Sequence, residues 1–270
     1  MIVNEKVFIV TGASSGIGEE LSRALALKGA KVVCAARRND ELERVCNSIS
    51  SSGGDALPVQ ADITVLDQCQ FLVQKTVDVY GHIDGIVLNA GVSMWARFED
   101  ISNINFFRDL INTNYMGAVH CCHVALPYLK DTRGKIISCS TGQALMGFPN
   151  HSGYVASKHA LHGFLSTLAM EHKGEITVLE AVLSWIRGTN LRGNAFGPDG
   201  KKHGQSSRQH SNESVSLEVC VEKIIHAIER DYTTVYIPKK LALIPFLSAF
   251  FKRFLEWKVN NAIDENEQQR

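Results

Sequence analysis

The sequence predicts an α/β protein built on a doubly wound parallel sheet in three layers, helices on both faces. Three observations predict it. Short β-branched runs alternate with longer helical patterns along residues 1–240, a rhythm that parallel βαβ units produce. A glycine-rich turn separates the first strand from the first helix. Apolar residues make up 45% and charged residues 21%, the balance of a globular chain with a sizeable core.

In chain order, "KVFIVTG" (6–12) reads as the first strand and Glu19 to Lys28 as the first helix. "KVVCAA" (31–36) is the second strand, followed by a helix over Asp40 to Ser50 and a third strand in "ALPVQAD" (56–62). A helix over Leu66 to Tyr80 leads to a fourth strand within "IDGIVLNAG" (83–91). The second half repeats the beat with one helix across Phe106 to Leu129, a strand at "GKIISCS" (134–140), a helix from Gly153 to Glu171 and a strand at "ITVLEAVL" (176–183). Right-handed crossovers then give a doubly wound sheet. From Asn190 to Ser214 the apolar periodicity stops in a run rich in glycine, serine and charge, which reads as a functional loop or lid over 190–215. A helix, Leu217 to Arg230, and a short strand, "TTVYIP" (233–238), complete one domain over 1–240; residues 241–270 form a C-terminal extension.

Lysine plus arginine equal aspartate plus glutamate at 28 each, so no strong field favours nucleic acid. The seven cysteines show no regular spacing, which points to a reducing compartment, and no export signal precedes "VFIV"; a cytoplasmic protein is expected. "HCCH" (120–123) has apolar flanks and reads as buried helix, so no metal site is expected.

"TGASSGIG" (11–18) lies where a strand hands over to a helix. Glycines at 12, 16 and 18 allow a tight turn, and the exposed N–H groups of the helix start favour a diphosphate held along Gly12, Ser14, Ser15, Gly16, Ile17 and Gly18. At the end of the second strand, "CAARRND" offers no carboxylate to a ribose. Arg37 and Arg38 stand there instead, cations suited to a 2′-phosphate, which favours NADP over NAD. Tyr154 and Lys158, in "YVASK", are four residues apart and project from one helix face.

With these motifs the sequence resembles the short-chain dehydrogenase/reductase family, Rossmann-like in fold, over roughly residues 5–240. "TGASSGIG", "NAG" (89–91), Asn114 in "NTNYMG" and "YVASK" occur in the family's order. The resemblance implies hydride transfer between a nicotinamide and a carbonyl or secondary alcohol. Tyr154 would be the proton donor, Lys158 the cation that tunes it and holds the nicotinamide ribose, and Asn114 the holder of a water in a proton relay. It also implies cofactor contacts at Asp62 with its neighbour Ile63, at Asn89, Ala90 and Gly91, and at Thr189. Oligomers packed through the Tyr154 helix and its neighbour are common in the family, so a homo-oligomer is expected.

The hydroxyl that polarises the carbonyl stands thirteen residues before the tyrosine in the family, which is Thr141 here; its neighbour Ser140 is the alternative. Ser184 and Trp185 replace the usual Pro-Gly beside the nicotinamide, a change that narrows the space there. Met94 and Trp95 are candidates for a substrate mouth or a loop anchor. The substrate expected is a small apolar carbonyl or alcohol, lipid- or steroid-like; the rival reading is an impaired nucleotide-binding sensor or scaffold. Residues 241–259, "LALIPFLSAFFKRFLEWKV", are too short an apolar run to span a bilayer but suit peripheral membrane contact, with packing on the core or a partner subunit as the alternative.

Overall fold

A computed structural model describes residues 1–202 and 214–268. Strands β1 (Val7–Thr11), β2 (Lys31–Ala36), β3 (Asp55–Gln60), β4 (Gly85–Leu88), β5 (Lys135–Thr141), β6 (Thr177–Leu183) and β7 (Thr234–Ile237) form one seven-stranded sheet. Every pairing is parallel, in the order β3-β2-β1-β4-β5-β6-β7. The helices are α1 (Gly16–Leu27), α2 (Asn39–Ser51), α3 (Leu66–Tyr80), α4 (Phe106–Ile111), α5 (Gly117–Thr132), α6 (Ser152–Glu171), α7 (Leu217–Glu229), α8 (Ile244–Phe250) and α9 (Lys252–Gln268).

The central strands are rich in apolar residues because both of their faces are covered. All five residues of β1 are buried, as parallel strands between two helical layers require. Alternate residues serve opposite cores. Phe8, Val10, Val32 and Cys34 meet Leu21 and Leu25 of α1, Val45 of α2 and Ile224 of α7. Ile9, Val33, Ile86 and Ile136 face the other way, toward Leu72 of α3, Cys121 of α5 and Leu161 of α6.

The chain builds β1, β2 and β3 outward in one direction, then returns to lay β4 on the other side of β1. The crevice beyond the C-terminal ends of β1 and β4 is therefore the switch point at which ligands of such sheets bind. The one long helix expected over Phe106 to Leu129 is two, α4 and α5, joined by a π turn over Asn112–Met116 in which Gly117 N–H reaches back to the Asn112 carbonyl. Ile63 packs directly on Gly117 at the junction, where a Cβ would lie 2.6 Å from Ile63 Cδ1 and would force that side chain to shift. Of the expected 190–215 loop, residues 203–213 lie outside the described residues; the rest folds back so that Phe196 bridges Met94 and stacks on Phe106 at 5.3 Å.

The entry to β4 is fixed by a carboxylate. Asp84 is 1% exposed and accepts from Val7 N–H and Lys6 Nζ, each at 2.9 Å, with His82 Nε2 also at 2.9 Å. Removing it would leave a buried N–H and a cation unpaired. Asp84→Ala should cost about 3 kcal/mol in urea unfolding. Glu5→Ala, which deletes only the exposed Lys31–Glu5 pair at 3.3 Å, should cost under about 1 kcal/mol.

Candidate active site

Two adjoining clefts open at the switch point. The larger, of about 400 Å³, is lined by Gly12, Ser14, Ser15, Gly16 and Ile17 of the first turn, by Ala35 to Arg38 after β2, by Ala61, Asp62 and Ile63 after β3, and by Asn89, Ala90 and Gly91 after β4. Thr189 closes it from the loop after β6. The smaller, of about 130 Å³, holds Ser140, Thr141, Tyr154 and Lys158. Ile17, Asn89, Gly91 and Thr189 line both, so a ligand in the first reaches the second.

The turn between β1 and α1 is shaped by close approach. Gly12 has a left-handed backbone, φ +67°, and a Cβ on it would sit 2.8 Å from Ala90 Cα; one on Gly18 would sit 2.4 Å from the Gly12 carbonyl oxygen. Asn89 braces this turn from β4, its amide donating to the Thr11 and Gly12 carbonyls at 3.0 and 3.3 Å. Thr11 Oγ1 accepts from Asn89 and Ala90 N–H and donates to the Val87 carbonyl at 2.9 Å. Ser15 caps α1 without a side-chain hydrogen bond, so the first N–H groups of the helix are left for a ligand.

Cations gather at the far end of this cleft. Arg38 lies across the turn, donating to Ser14 Oγ at 3.0 Å and Ser15 Oγ at 3.2 Å, while Arg37 is 60% exposed and 4.0 Å from Asp62. Lys202 also lines the cleft, its Nζ 5.1 Å above the Phe196 ring. Asp62 has a local task as well, accepting from Thr64 N–H and Oγ1 at the entry to α3. A phosphate-bearing adenine dinucleotide fits this donor set: open N–H groups at one turn, basic side chains beyond it.

In the smaller cleft, Tyr154 and Lys158 come from the first turns of α6. Lys158 is 5% exposed; its Nζ is 3.4 Å from the Cys139 carbonyl oxygen and 5.9 Å from the Tyr154 ring centre. Burial pushes the Tyr154 phenol above its ordinary value and the Lys158 ammonium below its own. Each group thus resists charge by itself, and a phenolate forms there only beside a cation.

Asn114, in the π turn, ties these elements together. Its Oδ1 accepts from Val92 N–H at 2.8 Å and its Nδ2 donates to Val92 O and Ser157 Oγ, both at 2.9 Å. Ser157 donates in turn to the Tyr154 carbonyl at 2.7 Å. The Asn114 side chain is therefore wholly engaged in joining the β4 loop to α6, and π turns are found where helices are bent to serve a site.

Ser140 and Thr141 both line the cleft but differ in their partners. Ser140 lies beside Glu180, whose carboxyl burial would raise; His162, at 2.7 Å from Oε2, and Ser140 together hold it below its ordinary value. Thr141 Oγ1 accepts from Gln143 N–H at 3.3 Å, which leaves its own proton available. Trp185 lines the cleft as the sequence suggested, while Met94 is fully buried and accepts from Gly153 N–H through its sulfur, a loop anchor rather than a mouth. Sequence reasoning missed Gln143, His151, Arg192 and Lys202. The first two sit between motifs, and the others in a stretch without periodicity.

Among its described residues, the C-terminal extension leaves most of its large apolar side chains off the core. Ile244 is its one fully buried large residue among those described, set over Gly142, where a Cβ would lie 3.2 Å from it. Leu243, Phe246, Phe250, Phe251, Phe254 and Trp257 are 49–72% exposed.

Three comparisons bear on this arrangement. The chain is 34% identical to the 11-beta-hydroxysteroid dehydrogenase-like 4A protein of Arabidopsis thaliana over 94% of its own length and 83% of that protein. Its fold is that of a short chain dehydrogenase/reductase from Burkholderia phymatum solved with NAD, at 20% identity and TM-score 0.78, covering 93% of this chain and 96% of that one. It is also that of an alcohol dehydrogenase from Thermococcus sibiricus solved with 5-hydroxy-NADP, at 22% identity and TM-score 0.73, covering 86% and 95%. The short chain dehydrogenase family model matches residues 6–197, and the chain belongs to the short-chain dehydrogenase/reductase family of oxidoreductases.

Proposed function

We propose that the protein is an NADP-dependent oxidoreductase that interconverts a carbonyl and a secondary alcohol on an apolar, lipid-like substrate at a membrane surface. The observation that carries the reaction is the buried Tyr154–Lys158 pair at the end of the switch-point crevice. When bound, the nicotinamide supplies or accepts the hydride. The chain's residues do the rest.

The N–H groups at the start of α1 would hold the diphosphate, and Arg38, Arg37 and Lys202 would hold a 2′-phosphate. Thr189 would hold the carboxamide. Thr141, with its proton available, would donate to the substrate oxygen, and Tyr154 would give that oxygen its proton in reduction or take one in oxidation. Lys158 stabilises the phenolate that Tyr154 becomes; burial, which raises the cost of each lone charge, strengthens their attraction. Asn114 keeps α6 and the β4 loop in register so that both groups meet the substrate from one side. Trp185, Leu183 and Ile186 supply apolar walls.

The exposed aromatic face of α8 and α9 stands beside Lys239, Lys240, Lys252, Arg253 and Lys258. That pairing of aromatic rings with cations suits an anionic lipid surface, and its anchor at Gly142 adjoins Thr141, so a lipid-derived substrate would have a short path. No helix among the described residues is long and apolar enough to cross a membrane.

Titration with both reduced nucleotides should show NADPH bound about thirtyfold more tightly than NADH, the scale of ~2 kcal/mol for charge-assisted hydrogen bonds. Arg38→Ala together with Arg37→Ala should erase the difference; an unchanged preference would overturn the cofactor assignment. In steady-state kinetics with a ketone panel, Tyr154→Phe should lower kcat at least about a hundredfold while nucleotide affinity persists. Thr141→Val should cost more than Ser140→Ala, and the reverse order would move the carbonyl contact to Ser140. In vesicle co-sedimentation, Phe250→Asp with Phe254→Asp should reduce binding to phosphatidylserine vesicles at least about tenfold, and added salt should weaken the wild-type protein too.

A further inference from the structure

The small cleft contains more polar capacity than proton transfer uses. Arg192 lines it, half-buried, its guanidinium carbon 4.4 Å over the Trp185 ring. Among the described residues no carboxylate pairs with it. Stacking engages the face of the guanidinium and leaves its in-plane N–H edge for another ligand. Burial lowers its proton affinity, which an unpaired cation in this setting must tolerate and which a bound anion would relieve.

Two further polar residues line the same cleft, Gln143 and Ser184. Gln143 is 8% exposed, yet among the described residues neither its Oε1 nor the buried Ser184 Oγ has a hydrogen-bond partner. Gln143 is fixed by its own main chain, whose N–H caps on Thr141 Oγ1, so its side chain is delivered next to the hydroxyl proposed to meet the carbonyl. Native interiors rarely leave such atoms unsatisfied, which marks this side of the cleft as unusually polar.

We infer that the substrate is an oxo or hydroxy acid whose carboxylate is taken by Arg192. This rests on the reaction proposed above and refines it, since the apolar body of the substrate would carry an acidic head. A carboxylate matches the site better than a phosphate. The planar guanidinium fork matches a planar carboxylate in two parallel N–H···O bonds, whereas Lys158, the other cation that lines the small cleft, is turned to the Cys139 carbonyl and the Tyr154 ring.

The test separates this from the reaction itself. The full-length protein saturated with NADP⁺ is titrated calorimetrically with hexanoate and decanoate and with their methyl esters, ligands that need no turnover. The acids should bind at least about tenfold more tightly than the esters, as sites with buried unpaired polar groups discriminate. Arg192→Met should abolish that difference while NADP⁺ affinity and thermal unfolding stay as in the wild type. Equal binding of acid and ester overturns the inference, and so does a loss of NADP⁺ affinity in Arg192→Met, which would give Arg192 to the nucleotide. Turnover of 4-oxopentanoate and 5-oxohexanoate against their methyl esters provides the second arm. Reduction of the esters at least as well as the acids sinks the acid site and leaves the reaction standing. Arg192-dependent binding of acids without reduction of any oxo compound leaves the site standing and sinks the reaction.

Discussion

The buried ammonium of Lys158 is the group around which this fold arranges its chemistry. Taking a lysine out of water costs several kcal/mol, and no carboxylate within salt-bridge distance offsets it among the described residues; the Cys139 carbonyl oxygen is its hydrogen-bond partner. Such a group persists only where the surroundings hold it. Here they are the end of β5, the first turns of α6 and, through Asn114 and Ser157, the loop after β4. The switch point matters because it brings those chain segments to one edge of the sheet.

Much of the site serves architecture and chemistry with the same atoms. Asn89 braces the glycine turn, Asp62 caps the approach to α3, and the Asn114 amide is consumed by tethers. Substituting any of them would therefore disturb the shape of the crevice before it removed a contact to a ligand. Lys202, Gln143 and Arg192 carry few such duties, so effects at those positions read more directly as recognition.

The central strands were legible because both of their faces are buried, which leaves runs of apolar residues in β1, in β4 and in Val32–Ala36 of β2. The fourth helix was read as continuous because a π turn changes the hydrogen-bond register without changing residue preference, and nothing in "NTNYMG" marks it. "YVASK" and "TGASSGIG" could be read because their spacing is local. Arg192 and Lys202 could not, since they reach the clefts through a segment with neither periodicity nor motif. Residues 241–259 showed their apolar content in the sequence, but whether it faced the core was a tertiary fact: Ile244 turns inward and the aromatic residues remain outside.

The account as a whole turns on Lys158 lowering the proton affinity of Tyr154 within a desolvated cleft. The direct measurement is the ultraviolet difference titration of the phenol, wild type against Tyr154→Phe to isolate this tyrosine from the other five. It is repeated in Lys158→Met and with NADP⁺ added. The account predicts that the Tyr154 phenolate appears at lower pH in the wild type than in Lys158→Met, by at least about one pH unit, and lower still with the oxidised nucleotide present. Coincident titrations in the two proteins, unmoved by nucleotide, would contradict it.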